Sequence, residues 1–386
     1  MKTIRLIVHV LCVLLCAAVI LCMPVFLSSP MKPTPRKDSA EYQEHIEEQI
    51  ENAVTEDEDS EVIDFSRLFV STACAEDAVW EDDGDDIIIE PLDEGLLRID
   101  PDWKLPLDDF STPPRPNPDK YTEDGYEDQS IRVRVETREM YGMTVNIAFV
   151  EIADASQLRT AVAGNVQNNS TDVLQSIAAG VNPVIAMNGD LYTQLPEKKT
   201  FEVRMCEKIR AKTNNLKDIL VIDDLGDFHL FIRSEGLHKN DRPYYISQIK
   251  EEGRKIVNAL TFGPALVKDG VLIDQKQNEH YDYAPNYKNP RSAIGQTGHL
   301  SYVMVVVETV RGKGGATFQD LAQIMYDLGC EQAYNLDGGN TAEMLMFGPE
   351  GKDGEPKFHF SGDLNADDRS IKDIIYFATA VPESEW

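Results

Sequence analysis

Tyr334-Asn335-Leu336-Asp337-Gly338-Gly339-Asn340-Thr341-Ala342-Glu343-Met344 sets an acid, two amides and a hydroxyl around a Gly-Gly turn. Paired glycines let backbone N–H groups approach a ligand closely. Asp-Gly is also a strong hairpin signal, and alone the stretch reads equally as a solvated turn. What precedes it tips the reading towards a site. Thr317 offers a capping hydroxyl with Asp320 three residues on. Phe318, Leu321, Met325 and Leu328 then form one apolar face, and Gly329 is placed to end the helix. A short strand over 331–336 leads straight into Asp337-Gly338-Gly339.

The same plan occurs earlier in the chain. Ser170 or Thr171 can cap a helix carrying Val173, Leu174 and Ile177, which Gly180 ends. Pro183-Val184-Ile185-Ala186-Met187 reads as a buried strand running into Asn188-Gly189-Asp190. If the two strands are parallel neighbours, Asn188 and Asp337 emerge on one sheet edge, where such sheets bind ligands. Further strands are expected where Ile131, Val133 and Val135 alternate with charges, over 143–152 and over 302–307. Residues 220–222 and 228–232 read as a hairpin, and Phe262-Gly263-Pro264 breaks the chain within 260–267. The expected class is α+β: a mixed twisted β-sheet with packed helices in one globular domain over 131–386.

Charge is unevenly placed along the 386 residues. Of a formal net charge of −30, residues 38–130 carry −26, from 31 acidic and 5 basic side chains. Such a segment buries too little apolar surface to offset chain entropy and reads as a disordered stalk over 31–130, stiffened by Pro113-Pro114-Arg115-Pro116-Asn117-Pro118. Residues 10–27 hold no charge, and 18 residues of helix span roughly 27 Å. This predicts an uncleaved single-pass membrane anchor within 1–30 and a C-terminal domain outside the cytoplasm. The acidic balance argues against a nucleic-acid partner. Outside the apolar run only Cys74, Cys206 and Cys330 remain, with neither a CxxC spacing nor a disulfide framework.

Four stretches, in order, resemble motifs of the phosphodiester glycosidase family. They are Ala186-Met187-Asn188-Gly189-Asp190-Leu191-Tyr192, Phe262-Gly263-Pro264-Ala265-Leu266-Val267, Asn289-Pro290-Arg291-Ser292-Ala293-Ile294-Gly295, and the opening stretch. Arg369 resembles an arginine that precedes the family's last strand. The similarity runs over about residues 131–383. The family includes the enzyme that uncovers mannose 6-phosphate by removing N-acetylglucosamine, and exported bacterial proteins connected with exopolysaccharides. This chain departs at Asn340 in place of a third glycine, at Thr341 and Ala342 in place of two serines, and at Glu343.

The resemblance implies hydrolysis of the bond between an anomeric carbon and a phosphate oxygen. The phosphate leaves as a stabilised anion. The site therefore needs cations and N–H donors for phosphate, and carboxylates or amides around an oxocarbenium-like centre. The expected catalytic set is Asp337, as nucleophile or general base, with Asn188, Arg291 and Thr341. The expected substrate and phosphate contacts are Asn335, Gly189, Gly338, Gly339, Asn340, Arg369 and Glu343. Each has a plainer alternative: an Asx-turn for Asp337, a structural ion pair for Arg291, backbone bonding for the two asparagines, and a solvent-facing side chain for Glu343. No cofactor is required; Ca or Mg on Asp190, Asp337 and Glu343 is conceivable, since hard cations favour oxygen ligands. The expected substrate is a glycan or glycolipid phosphodiester. The alternative is a non-catalytic sugar-phosphate-binding or envelope assembly module.

Overall fold

The computed structural model describes residues 97–166, 170–190, 201–211, 217–232, 249–275, 287–310, 313–363 and 369–386. The apolar run at 10–27 and the acidic stretch up to 96 lie outside them. Among the described residues no helix is long and apolar enough to cross a membrane.

Alternating apolar residues build most of the structure. In β2 (Ile131–Met140), Ile131, Val133 and Val135 face the core while Arg134 points out. It pairs along its whole length with β3 (Met143–Ile152) through a tight turn at Tyr141 and Gly142, both with positive φ. With β1 (Gly125–Glu127), β11 (Ala265–Lys268), β12 (Val271–Leu272), β13 (Arg291–Gly298), β14 (Ser301–Val307) and β17 (Gln332–Asn335) they form an eight-stranded sheet, ordered β1-β2-β3-β14-β13-β17-β11-β12. A second sheet is ordered β19-β18-β5-β20-β4, from β4 (Leu158–Val162), β5 (Ile185–Asn188), β18 (Glu343–Gly348), β19 (Gly351–Ser361) and β20 (Asp373–Phe377). A third is ordered β7-β6-β10-β8-β9, from β6 (Phe201–Arg204), β7 (Glu207–Ala211), β8 (Ile219–Asp223), β9 (Phe228–Phe231) and β10 (Ile256–Leu260). A two-stranded ribbon joins β15 (Thr309–Val310) to β16 (Lys313–Gly314).

The core sits between sheets. Met304, Val306, Ile294 and Tyr334 of the eight-stranded sheet meet Ile185, Met187, Met344 and Phe377 of the second and Leu220 and Ile222 of the third. The opposite face of the large sheet is covered by α2 (Phe318–Asp327), whose Leu321, Ala322 and Met325 pack on Val303, Val305 and Ala293. The outer face of the second sheet takes α1 (Leu174–Ala179) through Leu174, Ile177 and Ala178. The layers thus run α2, sheet, sheet, α1.

Four expectations are corrected. Every pairing between these strands is antiparallel, so there is no single mixed sheet. Among the described residues helices are too few to supply the crossovers that parallel strands need. Second, β5 and β17 belong to different sheets. Third, residues 97–130 are packed structure rather than stalk. The buried Arg159 donates to the carbonyls of Pro106, Asp109 and Ser111, and Asn182 donates to that of Pro113. Tyr126 is fully buried with its hydroxyl on Asp128. Fourth, α1 begins two or three residues later than a cap at Ser170 or Thr171 implies, with Val173 at the cap position and no side-chain cap bond. The preceding Asp172 is held extended by its bridge to Ile371. The cap of α2 is as expected: Thr317 Oγ1 accepts from Asp320 N–H, and the Asp320 carboxylate accepts from Thr317 N–H, each at 3.0 Å.

Candidate functional site

β5 and β17 come from opposite sheets, yet their C-terminal ends meet. Asn188 is completely buried; its amide donates to the Asp337 carbonyl at 2.8 Å and to the Gly189 carbonyl at 3.1 Å, and its Oδ1 accepts from Glu343 N–H. Asp337 N–H donates back to Gly189 O at 3.2 Å. From β13, Ser292 Oγ donates to the Asp337 carbonyl at 2.7 Å. The backbone of Asp337 is thereby fixed from both sheets, and only its carboxylate is left to face the loop rim.

Asp337 as a residue is 7% exposed, and burial raises the pKa of its carboxylate to about 6. The Thr341 hydroxyl, the exposed Arg369 guanidinium and Gly338 N–H pull it down, while Asp190 pushes it further up. A carboxylate that gains and loses its proton near neutral pH is suited to proton transfer. Thr341 Oγ1 also donates to Gly338 O at 2.8 Å.

The remaining expected residues divide by where their polar groups go. Asn335 is fully buried and donates to Gly263 O and Leu336 O, so both asparagines follow the backbone-bonding alternative. Gly339, at φ +70°, gives its N–H to Pro290 O, and Gly189 gives its own to Asp373 O. These N–H groups are engaged inside the protein, and the glycines shape the turn. Arg291 is 5% exposed, with Nε on Ala316 O and Nη2 on Tyr287 O, both at 3.1 Å. Its guanidinium lies 4.0 Å from the Phe318 ring centre. It starts the strand beside the loop, with its Cδ about 3.7 Å from where a Cβ on Gly338 would sit. Glu343 is buried, and Asn340 and Arg369 are exposed at the rim. Among the described residues no three His, Cys, Asp or Glu side chains are grouped to hold a metal ion. Both Asp190 oxygens already accept bonds, from Arg204 at 2.7 Å and from Thr261 N–H at 2.8 Å.

Of the charges behind this loop only Asp190 was expected near the site; Glu202, Arg204 and Asp373 join it from β6 and β20. Arg204, with no exposure, ends β6 and contacts Asp190 at 2.7 Å, Asp373 at 2.6 Å and Glu202 at 3.3 Å. Burial raises the pKa of Glu202 and of Asp373, Asp190 adds to both shifts, and Arg204 opposes them. One guanidinium faces three carboxylates, and Lys372 adds a second positive charge near Asp373. A signal existed in Phe201-Glu202-Val203-Arg204, where opposite charges alternate with apolar residues on a short strand.

Gly189 touches this cluster so closely that a Cβ there would lie 2.5 Å from the Asp373 carboxyl carbon. Gly189→Ala is expected to destabilise the fold by about 1–3 kcal/mol, the cost of overpacking a filled site. A wild-type denaturation midpoint would contradict that contact.

A buried carboxylate of raised pKa stands at the loop rim where strands of two sheets meet, within the field of Arg369. The sequence model of the phosphodiester glycosidase (NAGPA) family matches residues 182–378, and the chain belongs to that family. The match takes in β5, Arg204, Arg291, Asp337 and Asp373. Among solved structures, the catalytic domain of zebrafish N-acetylglucosamine-1-phosphodiester alpha-N-acetylglucosaminidase, auto-inhibited by its pro-peptide, is 14% identical. It aligns over 64% of this chain and 83% of its own, with a TM-score of 0.47. A hypothetical protein from Synechocystis is 14% identical over 64% of this chain and 62% of its own, with a TM-score of 0.42. A search of curated proteins returns no match.

Proposed function

We propose that the chain hydrolyses the bond between a sugar's anomeric carbon and phosphate in a phosphodiester of a cell-surface glycopolymer or glycolipid, acting outside the cytoplasm from a membrane anchor within 1–30. The observation that carries the chemistry is the buried Asp337 carboxylate at the loop rim, its pKa raised to about 6 by burial and drawn back by the charge of Arg369. Family membership supports the reaction type. The anchor and the cell-surface substrate rest on the apolar run at 10–27 and the acidic segment after it.

In this reading ionised Asp337 stabilises positive charge at the anomeric carbon and takes the proton of an incoming water. The water oxygen bonds to that carbon as the bond to the phosphate oxygen breaks, and the electron pair leaves with the phosphate. The leaving group is already a weak base, so no general acid has to protonate it. Arg369, exposed at the rim, is the cation for the phosphate. Arg291, bonded to carbonyls and stacked on Phe318, holds the strand that supports the loop.

The test is release of free sugar from an N-acetylglucosamine-1-phosphodiester by the full chain. Turnover that rises with pH through about 6 is expected. Saturable binding of the diester by folded protein without turnover would select the non-catalytic binding module instead.

A further inference from the structure

The buried charge cluster behind the loop is larger than a fold of this kind needs for stability. A single buried ion pair is seldom better than well-packed apolar residues. Here four charged side chains from three places in the chain are gathered at no exposure. Among the described residues Glu202 Oε1 and Asp373 Oδ1 have no hydrogen-bond partner, so the cluster is held together at a cost.

Its position explains what it does. Asp373, on β20, accepts from Arg204 Nε at 2.8 Å and presses its carboxyl group on the Cα of Gly189, while its own carbonyl accepts Gly189 N–H at 2.9 Å. Asp190, the next residue after Gly189, is tied to the same guanidinium and to Thr261 N–H. The 188–190 turn is therefore gripped from behind at three points. From its front, Gly189 O and the Asn188 amide hold the Asp337 backbone. An unbroken chain of contacts runs from Arg204 through Asp373 and Gly189 to Asp337.

We propose that Arg204 and Asp373 are positioning residues for the Asp337 carboxylate, clamping the 188–190 turn against which the Asp337 loop is built. This rests on reading Asp337 as the reacting group. Neither residue touches substrate; each acts through Gly189 and Asp190. When the clamp is loosened, the turn relaxes, the loop admits water and Asp337 loses the burial that raises its pKa. A displacement of the reacting group by about 1 Å costs roughly 10²-fold in rate.

The test compares wild type, Asp373→Ala and Asp373→Asn as full chains. The Asp337 carboxyl is followed by ¹³C NMR and assigned by its loss in Asp337→Asn. In Asp373→Ala the Asp337 midpoint is expected to fall by at least about one pH unit towards the ordinary aspartate value. On the diester, kcat is expected to drop roughly 10²-fold with KM little changed. Asp373→Asn, which keeps the shape and an acceptor for Arg204, is expected to restore most of both. If Asp373→Ala does not fold, Asp373→Asn alone decides, with a smaller fall expected in the same direction. A midpoint unchanged in folded Asp373→Ala, or in Asp373→Asn where Asp373→Ala does not fold, overturns the proposal. A purely structural role would lower stability and leave that midpoint in place. The titration needs no turnover, so an inactive wild type would end the glycosidase reading while this measurement still returned its own answer.

Discussion

Asp337→Asn is expected to lower sugar release by about 10²–10⁴-fold and, in the same protein, to raise stability at pH 7.5. The first effect is what loss of a positioned proton acceptor costs. The second follows from linkage. Asp337 has a folded pKa near 6, against 3.8 for an ordinary aspartate. Between those values the folded state holds a proton that the unfolded state has lost. Stability then falls as pH rises through roughly 4 to 6 and is flat above. A shift of about two units corresponds to about 3 kcal/mol at 1.36 kcal/mol per unit, an upper figure because removing the charge also alters the bonds from Thr341 and Gly338. Asn at 337 cannot ionise, so the variant should gain about 2 kcal/mol over wild type at pH 7.5 and nothing at pH 4. Denaturant melts at the two pH values check this. Equal stability of the two proteins at both would place Asp337 in water and remove the basis of the assignment.

Arg204→Met is the second. Methionine fills comparable volume and leaves Asp190, Glu202 and Asp373 buried without their cation. Breaking a buried ion cluster from one side typically costs about 3–5 kcal/mol. Glu202 and Asp373, whose pKa values burial already raises, respond by taking up protons and rise further. By the same linkage the loss should grow as pH rises from about 5 to 8. Thermal melts across that range read it directly. A variant as stable as wild type at pH 8 would show that the cluster contributes neither stability nor strain.

Local chemistry was legible in the sequence wherever it is settled within a few residues. The helix over 318–327 follows from Thr317, Asp320 and Gly329, and the strands around 131–152 follow from period-two alternation. The convergence of Asn188 and Asp337 was also expected, but on the wrong geometry. Alternation says which face of a strand is buried; it does not say which strand lies beside it. β5 and β17 were read as neighbours and turn out to face each other from different sheets, joined by the Asn188 amide. The stalk was extended too far because acidic composition hid Tyr126 and the acceptor carbonyls that Arg159 recruits about 50 residues upstream. Glu202 and Arg204 alternate with Phe201 and Val203, a pattern that by itself marks a half-exposed strand. They point inward because Asp190 and Asp373 meet them, and Asp373 lies 169 residues further on. Arg291 is expected in the catalytic set, with substrate on its guanidinium. Phe318 and two main-chain carbonyls occupy it instead.

The account turns on which bond is broken, and hydrolysis of an N-acetylglucosamine-1-phosphodiester in ¹⁸O-labelled water reads that bond. Attack at the anomeric carbon, with Asp337 as the proton acceptor, places the label in the released sugar and none in the phosphate. Label recovered in phosphate would mean cleavage between phosphorus and oxygen, and would contradict the mechanism built around Asp337.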